Sequence, residues 1–261
     1  MTRSDSPSQS SRTQSSRTQS SRTQSSRTQS SRTAIVTGAS RGLGLALSRA
    51  LAARGWWLVL DARTAADLDA AARELARDTV VRAIPGDVAD PAHRRALVAA
   101  AADLGRLDLL VNNASVLGPS PQPALAAYPL DVLEDVYRVN VVAPLALIQL
   151  ALPLLRDSRG QVVNITSDAS VEAYEGWGGY GSTKAALDQL TSVLGVEEPD
   201  LRVYAVDPGD MNTCLHQEAF PGEDISDRPP PEESVPGLLD LVEGDRPSGR
   251  YRVRDLVASA L

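Results

Sequence analysis

Between Gln9 and Thr33 the chain carries no apolar residue; from Ala34 onward apolar runs recur to the end. These runs are of two kinds. The first is short and nearly continuous, at residues 33–37, 57–61, 80–84, 108–113, 161–166 and 201–206, with a shorter one at 249–253. Runs of that length with polar residues at their ends read as strands buried on both faces. The second kind is longer and amphipathic, as helices are. It covers residues 42–54, 65–77, 91–102, 130–155, 180–196 and 231–242. The two kinds alternate. Such alternation predicts an α/β fold: a three-layer doubly wound parallel sheet of the Rossmann type, with helices on both faces and right-handed crossovers. Ligands in such sheets bind beyond the carboxyl ends of the strands.

The same pattern divides the chain. Gln-Ser-Ser-Arg-Thr occurs five times in succession from Gln9 to Thr33. Nothing in it can offset the entropy of ordering, so residues 1–31 read as a disordered tail and residues 32–261 as a single dinucleotide-binding catalytic domain. The tail is either an inert repeat or a basic or phosphorylatable arm. Residues 1–33 hold six Arg and one Asp, so of the formal net charge of −7 the remainder carries −12. An acidic body argues against nucleic acid as a partner. Cys214 is the only cysteine, which suits a reducing cytoplasm. The most apolar stretch, residues 141–155, contains Pro144, Gln149 and Pro153 and reads as a core helix, so no membrane partner is expected.

The chemistry gathers where the pattern changes from strand to helix. The first strand runs into Gly38-Ala39-Ser40-Arg41-Gly42-Leu43-Gly44 and then a helix. Glycines there let the backbone approach a pyrophosphate at a helix N-terminus. Tyr180 and Lys184 are four apart on a predicted helix, and hence one turn from each other. A cation near a phenol favours the phenolate and lowers its pKa. Of the 26 basic residues, 25 are Arg and only Lys184 is Lys. Arginine is a planar fork and lysine a compact point charge, so this position calls for the compact charge. An ordinary exposed lysine would show the same spacing.

Taken in order, these motifs make the sequence, from about Thr33 to the end, resemble the short-chain dehydrogenase/reductases of the compact, single-domain type. The turn resembles that family's cofactor loop. Asp87-Val88 resembles its adenine-contacting pair, and Asn112-Asn113-Ala114 its fourth-strand motif, with Ser115 where the family usually has Gly. Asn140, Ser167, Tyr180 and Lys184 match its catalytic tetrad. Pro208, Gly209, Met211 and Thr213 fall in the loop that holds the nicotinamide carboxamide. The resemblance implies hydride transfer between a nicotinamide and a carbonyl or alcohol carbon. Tyr180 is then the general acid/base. Lys184 lowers its pKa and bonds the nicotinamide ribose, Ser167 donates to the substrate oxygen, and Asn140 holds a water. Ser167 as a helix cap and Asn140 as a structural amide remain open. So does a non-catalytic dinucleotide-binding sensor or scaffold, although such a protein has no need of a complete tetrad.

Asp61 lies 23 residues after Gly38, near where an acid binds the ribose of NAD. Family spacing puts that acid at Ala62. Neighbouring strand residues face opposite ways, so Asp61 is expected to point away from the ribose. Arg63 and Arg41 suit a 2′-phosphate, and NADP(H) is favoured over NAD(H). Asp168, Trp177, His216 and the region near Leu117 are expected to line the substrate pocket, with residues 220–231 a surface loop over it. Their polarity hints at a hydroxylated or cationic small molecule. His93 and His216 lack metal-ligand spacing, and no metal is expected. The 130–155 and Tyr180 helices are where family members pair, so a homodimer or homotetramer is expected.

Overall fold

The computed structural model describes residues 31–258, so the repeat through Ser30 lies outside the described residues. Seven strands form a parallel sheet: β1 (Thr33–Val36), β2 (Trp57–Ala62), β3 (Val81–Pro85), β4 (Leu109–Asn112), β5 (Gln161–Ile165), β6 (Arg202–Asp207) and β7 (Gly249–Arg252). Their order is β3-β2-β1-β4-β5-β6-β7. The helices are α1 (Gly42–Ala52), α2 (Ala65–Leu75), α3 (Pro91–Asp103), α4 (Leu130–Tyr137), α5 (Ala143–Ser158), α6 (Gly178–Glu197), α7 (Cys214–Ala219), α8 (Val235–Glu243) and α9 (Val253–Ala258).

Strand alternation builds the two outer layers. Ala34 and Val36 of β1 and Leu58, Leu60 and Ala62 of β2 face the side covered by α1, α2 and α8. Ile35 and Val59 face the side covered by α3 and α5. Asp61 shares the face of Val59, which decides its partners below. The chain winds outward from β1 through β2 to β3, then returns to start β4 on the other side of β1. The reversal opens a crevice beyond the carboxyl ends of β1 and β4.

The sequence predicts one helix over 130–155, and a continuous helix of 29 residues does run from Leu130 to Ser158. Its middle turn, Arg138–Val142, is a π-helix. Asn140 sits there with both ends of its amide bonded to neighbouring elements, and such bulges arise where the regular ladder yields to a side chain's other demands. This helix is long and apolar enough to cross a membrane by length and composition alone. Yet α5 lays Leu147, Ile148, Ala151 and Leu155 into the core. The 231–242 prediction divides into a short 3₁₀ turn, Pro231–Ser234, and α8. Helices α7 and α9 are too short to show a period in the sequence.

Candidate active site

A cavity of about 300 Å³ runs along the carboxyl ends of the strands. Most of the residues singled out from the sequence line it; among those that do not are Ala39, Gly44, His93, Asn112 and Asn140. Gly44 and Asn140 act from behind its wall.

The turn after β1 is tied down from three sides. The Gly38 amide donates to Asp61 Oδ1 at 2.8 Å. Asn113 Nδ2 donates to the carbonyls of Thr37 (2.8 Å) and Gly38 (3.2 Å). Thr37 Oγ1 accepts from the amides of Asn113 and Ala114 at 2.9 and 3.0 Å. Gly38 has φ +65°, a left-handed backbone that favours glycine. Helix α1 begins at Gly42 with no side-chain cap, so its first amides are left for a ligand. The cradle fits a pyrophosphate. Gly44 keeps it narrow, because a Cβ there would lie 2.4 Å from the Gly38 carbonyl oxygen. Gly44→Ala must therefore push α1 off the turn, at about 1–3 kcal/mol. The expected result is a lower melting temperature and about a tenfold or greater loss of dinucleotide affinity in a fluorescence titration.

At the adenosine end, Asp61 is 1% exposed, and its second oxygen bonds His93 Nε2 at 3.0 Å. Burial pushes its pKa up, while His93 and Gly38 pull it down. The carboxylate is spent on the turn and on α3. His93, which the sequence offered only as a non-ligand histidine, is its partner. Arg41 and Arg63 line the cavity, exposed. Neither has an ion-pair partner among the described residues.

At the opposite end, Tyr180 and Lys184 are buried on one face of α6. Lys184 Nζ donates to the Ile165 carbonyl at 2.9 Å and lies 5.3 Å from the centroid of the Tyr180 ring. Burial pushes the phenol pKa above its ordinary value; Asp168 and Asp207 add to this, and a hydrogen bond between Ser115 and the phenol opposes it. The expectation that Lys184 draws the phenol down is thus not what this geometry gives. Its ammonium is bonded to a carbonyl, and burial is the largest influence on the phenol. Burial in turn lowers Lys184 to about 8, against the raising effect of Asp188 one turn on. Tyr180 therefore holds its proton at neutral pH, and Lys184 is still mostly charged.

Ser167 Oγ donates to Asp168 Oδ1 at 3.0 Å and accepts from the Ala169 amide at 3.2 Å, capping a single 3₁₀ turn. Tyr174 OH donates to the other Asp168 oxygen at 2.9 Å. Ser167 is a cap and a cavity residue at once. Asn140 has the contacts of the structural amide left open above. Its Oδ1 accepts from Ser115 Oγ (3.2 Å) and the Val116 amide (3.0 Å), and its Nδ2 donates to the Val116 carbonyl (2.9 Å) and Thr183 Oγ1 (3.1 Å). An amide has two donors and two lone pairs, so the side chain has nothing left for a water. It braces the loop after β4 against α6.

Two residues escaped the sequence reading. Ser115, noted only as a departure from glycine, has ordinary backbone geometry and brings a hydroxyl to the phenol. Arg250 of β7 donates to the Ser167 carbonyl (3.1 Å) and to Asp188 Oδ2 (2.9 Å), and stands 3.7 Å from Asp207 Oδ2. It ties the ends of β5 and β6 to α6. Asp188, spaced four from Lys184, was the only signal in the sequence for this brace.

Comparison with known proteins fits this geometry. The family described as short chain dehydrogenase matches residues 32–224. A benzil reductase ((S)-benzoin forming) of Saccharomyces cerevisiae is 34% identical, over 70% of this chain and 73% of that protein. The L-xylulose reductase of Bos taurus is 36% identical, over 72% of this chain and 75% of that protein. Among solved structures, an alcohol dehydrogenase from the archaeon Thermococcus sibiricus, complexed with 5-hydroxy-NADP, has a TM-score of 0.77 at 27% identity, over 85% of this chain and 95% of that one. The chain belongs to the short chain dehydrogenase family. It is an oxidoreductase of Rossmann fold, in a family whose members use NAD(P) and act on small molecules.

Proposed function

We propose that this oxidoreductase reduces a carbonyl compound, or oxidises the matching alcohol, with NADP(H), using Tyr180 as general acid/base. The observation that carries this is a buried Tyr180 one turn from a buried Lys184, beside Ser167, at one end of a cavity whose other end holds Arg41 and Arg63. The bound nicotinamide supplies or takes up the hydride. The protein's part is protonic. Tyr180 donates its proton to the substrate oxygen in reduction and recovers it in oxidation. Ser167, turned from Asp168, donates to the same oxygen as charge develops there. Lys184 keeps a positive charge beside the phenol during that transfer. Asn113 and Ala114, with Asp87 and Val88, line the cavity where they would hold the adenosine and nicotinamide halves. Pro208, Gly209, Met211 and Thr213 would hold the nicotinamide.

Preference for NADP(H) rests on Arg63 and Arg41, on the diversion of Asp61 to Gly38 and His93, and on the NADP analogue named with the archaeal relative. Charge-assisted bonds to a 2′-phosphate contribute about 1.5–3 kcal/mol, or about ten- to a hundredfold in affinity. Arg63→Ala should weaken NADPH binding by that much and leave NADH nearly untouched. Equal losses for both cofactors, or a wild-type preference for NADH, would reverse the assignment. We also propose a homodimer or homotetramer in the cytoplasm. Supporting the first, Leu130 on α4, Val142 in the π-helical turn, Leu150 on α5, and Val193 and Val196 on α6 stay exposed. Sedimentation of the purified chain tests it.

A further inference from the structure

The substrate end of the cavity carries features that proton and hydride transfer do not use. The chain is poor in aromatic side chains, with 3 Trp, 6 Tyr and 1 Phe. Four of these rings gather here. The Trp177 ring centroid lies 5.9 Å from that of Tyr180, 6.4 Å from Tyr174 and 6.0 Å from Phe220, the chain's sole Phe. Trp177 is half-buried and lines the cavity with Leu117, Leu215 and Ala219. An indole serving only the core is covered by its neighbours; this one is held in place by three rings and still borders the space where the substrate must sit. His216, packed against Phe220 at 4.9 Å, also borders it. Its Nε2 is buried with no hydrogen-bond partner among the described residues.

Charge along the cavity matters as well. Arg41 and Arg63 stand at the adenosine end, beside Asp61, Asp67 and Asp87. Around Tyr180 the lining charges besides Lys184 are Asp168 and Asp207, with Asp210 and Glu218 from the loop after β6 and from α7. Arg250 reaches Asp207 from behind the wall. In a confined, partly dry site these carboxylates repel an anion.

We propose that the substrate is a carbonyl compound whose carbonyl group is joined to an aromatic ring packed on Trp177, and which carries no negative charge. This rests on the dehydrogenase reading above and narrows its substrate class. The flat π face of Trp177 rewards a ring beyond the area it buries. The acidic lining sets the molecule apart from carboxylate, phosphate or sulfonate substrates.

The test compares three ketones with NADPH: acetophenone, cyclohexyl methyl ketone (close in size, with no π system) and 4-acetylbenzoate (an added carboxylate). Wild type should favour acetophenone over its saturated counterpart in kcat/KM by about three- to tenfold. It should favour acetophenone over the benzoate by tenfold or more at low salt, less as salt is added. Trp177→Leu should bring the first ratio close to one, and Trp177→Tyr, which restores a ring, should recover it. Turnover of all three at similar efficiency, or a first ratio that survives Trp177→Leu, overturns the proposal and leaves the dehydrogenase reading standing. No turnover of any ketone by protein that binds NADPH overturns both.

Discussion

Tyr180→Phe is expected to cut turnover about 10²–10⁴-fold while leaving the melting temperature and NADPH affinity close to wild type. The substitution removes one oxygen and keeps the ring that packs against Trp177 at 5.9 Å and under Lys184 at 5.3 Å. The fold should tolerate this, because the phenol's partner, Ser115, is itself bonded to Asn140 and is not left stranded. The reaction should not tolerate it. Ser167 remains as a donor, but its hydroxyl proton is shared with Asp168, and a serine hydroxyl cannot deliver a proton to an alkoxide and carry the charge left behind. Because burial holds the phenol above its ordinary pKa, Tyr180 enters the cycle protonated, and reduction should run readily at neutral pH. Oxidation needs the phenolate and should gain speed as pH rises. Steady-state rates in both directions from pH 6 to 10 check this. A Phe variant within about tenfold of wild type would move the acid/base role elsewhere in the cavity.

The fold could be read from the sequence because each of its rules is local. Strands buried on both faces need continuous apolar runs, and the helices that cover them need an apolar stripe. Both leave their period in the chain. The orientation of Asp61 was legible for the same reason, since alternation along β2 puts it on the face of Val59 whatever lies beyond. What it turns toward was not legible. His93 sits 32 positions away, and only the packing of α3 under the sheet brings it there. Arg250 is a stronger case. It reaches the Ser167 carbonyl across 83 positions, from a strand so short that its pattern carries no sign of a contact. The roles of Asn140 and Lys184 needed a further step. Spacing placed them correctly, but the number of hydrogen-bond partners around an amide and the dryness around a phenol are properties of the packed interior. The bulged turn at Arg138–Val142 leaves no mark on hydrophobic periodicity, since one extra residue in a long apolar run still reads as helix.

Lys184→Met should yield a protein that is more stable at neutral pH and almost inactive. The ammonium is 2% exposed, and its pKa falls from 10.5 to about 8. At about 1.4 kcal/mol per pKa unit, keeping it charged in the fold costs on the order of 3 kcal/mol. That cost applies in full below about pH 8, where folded and unfolded chains are both protonated. It declines as pH rises toward 10.5, where only the unfolded chain still holds the proton. Methionine keeps most of the stem's volume without the charge. It gives up the bond to the Ile165 carbonyl, about 1.5–3 kcal/mol with a charged donor, so a net gain of up to about 1.5 kcal/mol remains. For a chain of this size that is a rise of up to about 6 °C in Tm, greatest below pH 8 and fading above it. Turnover should fall by about as much as in Tyr180→Phe, because the phenol then gives up its proton with no cation beside it. Lys184→Arg separates charge from shape. Its guanidinium stays ionised at every working pH, so the stability gain should be absent. Its planar fork does not fit the space of a compact ammonium between Ile165 and the Tyr180 ring, so turnover should fall as well. Thermal melts at pH 7 and 10 beside rates for all three proteins decide the matter. A methionine variant that melts below wild type at pH 7 would mean that the buried charge stabilises the fold. An arginine variant with near wild-type turnover would mean that any cation serves. Stability gained with activity lost would show that the only lysine among 26 basic residues is retained at a cost to the fold because the proton transfer requires it.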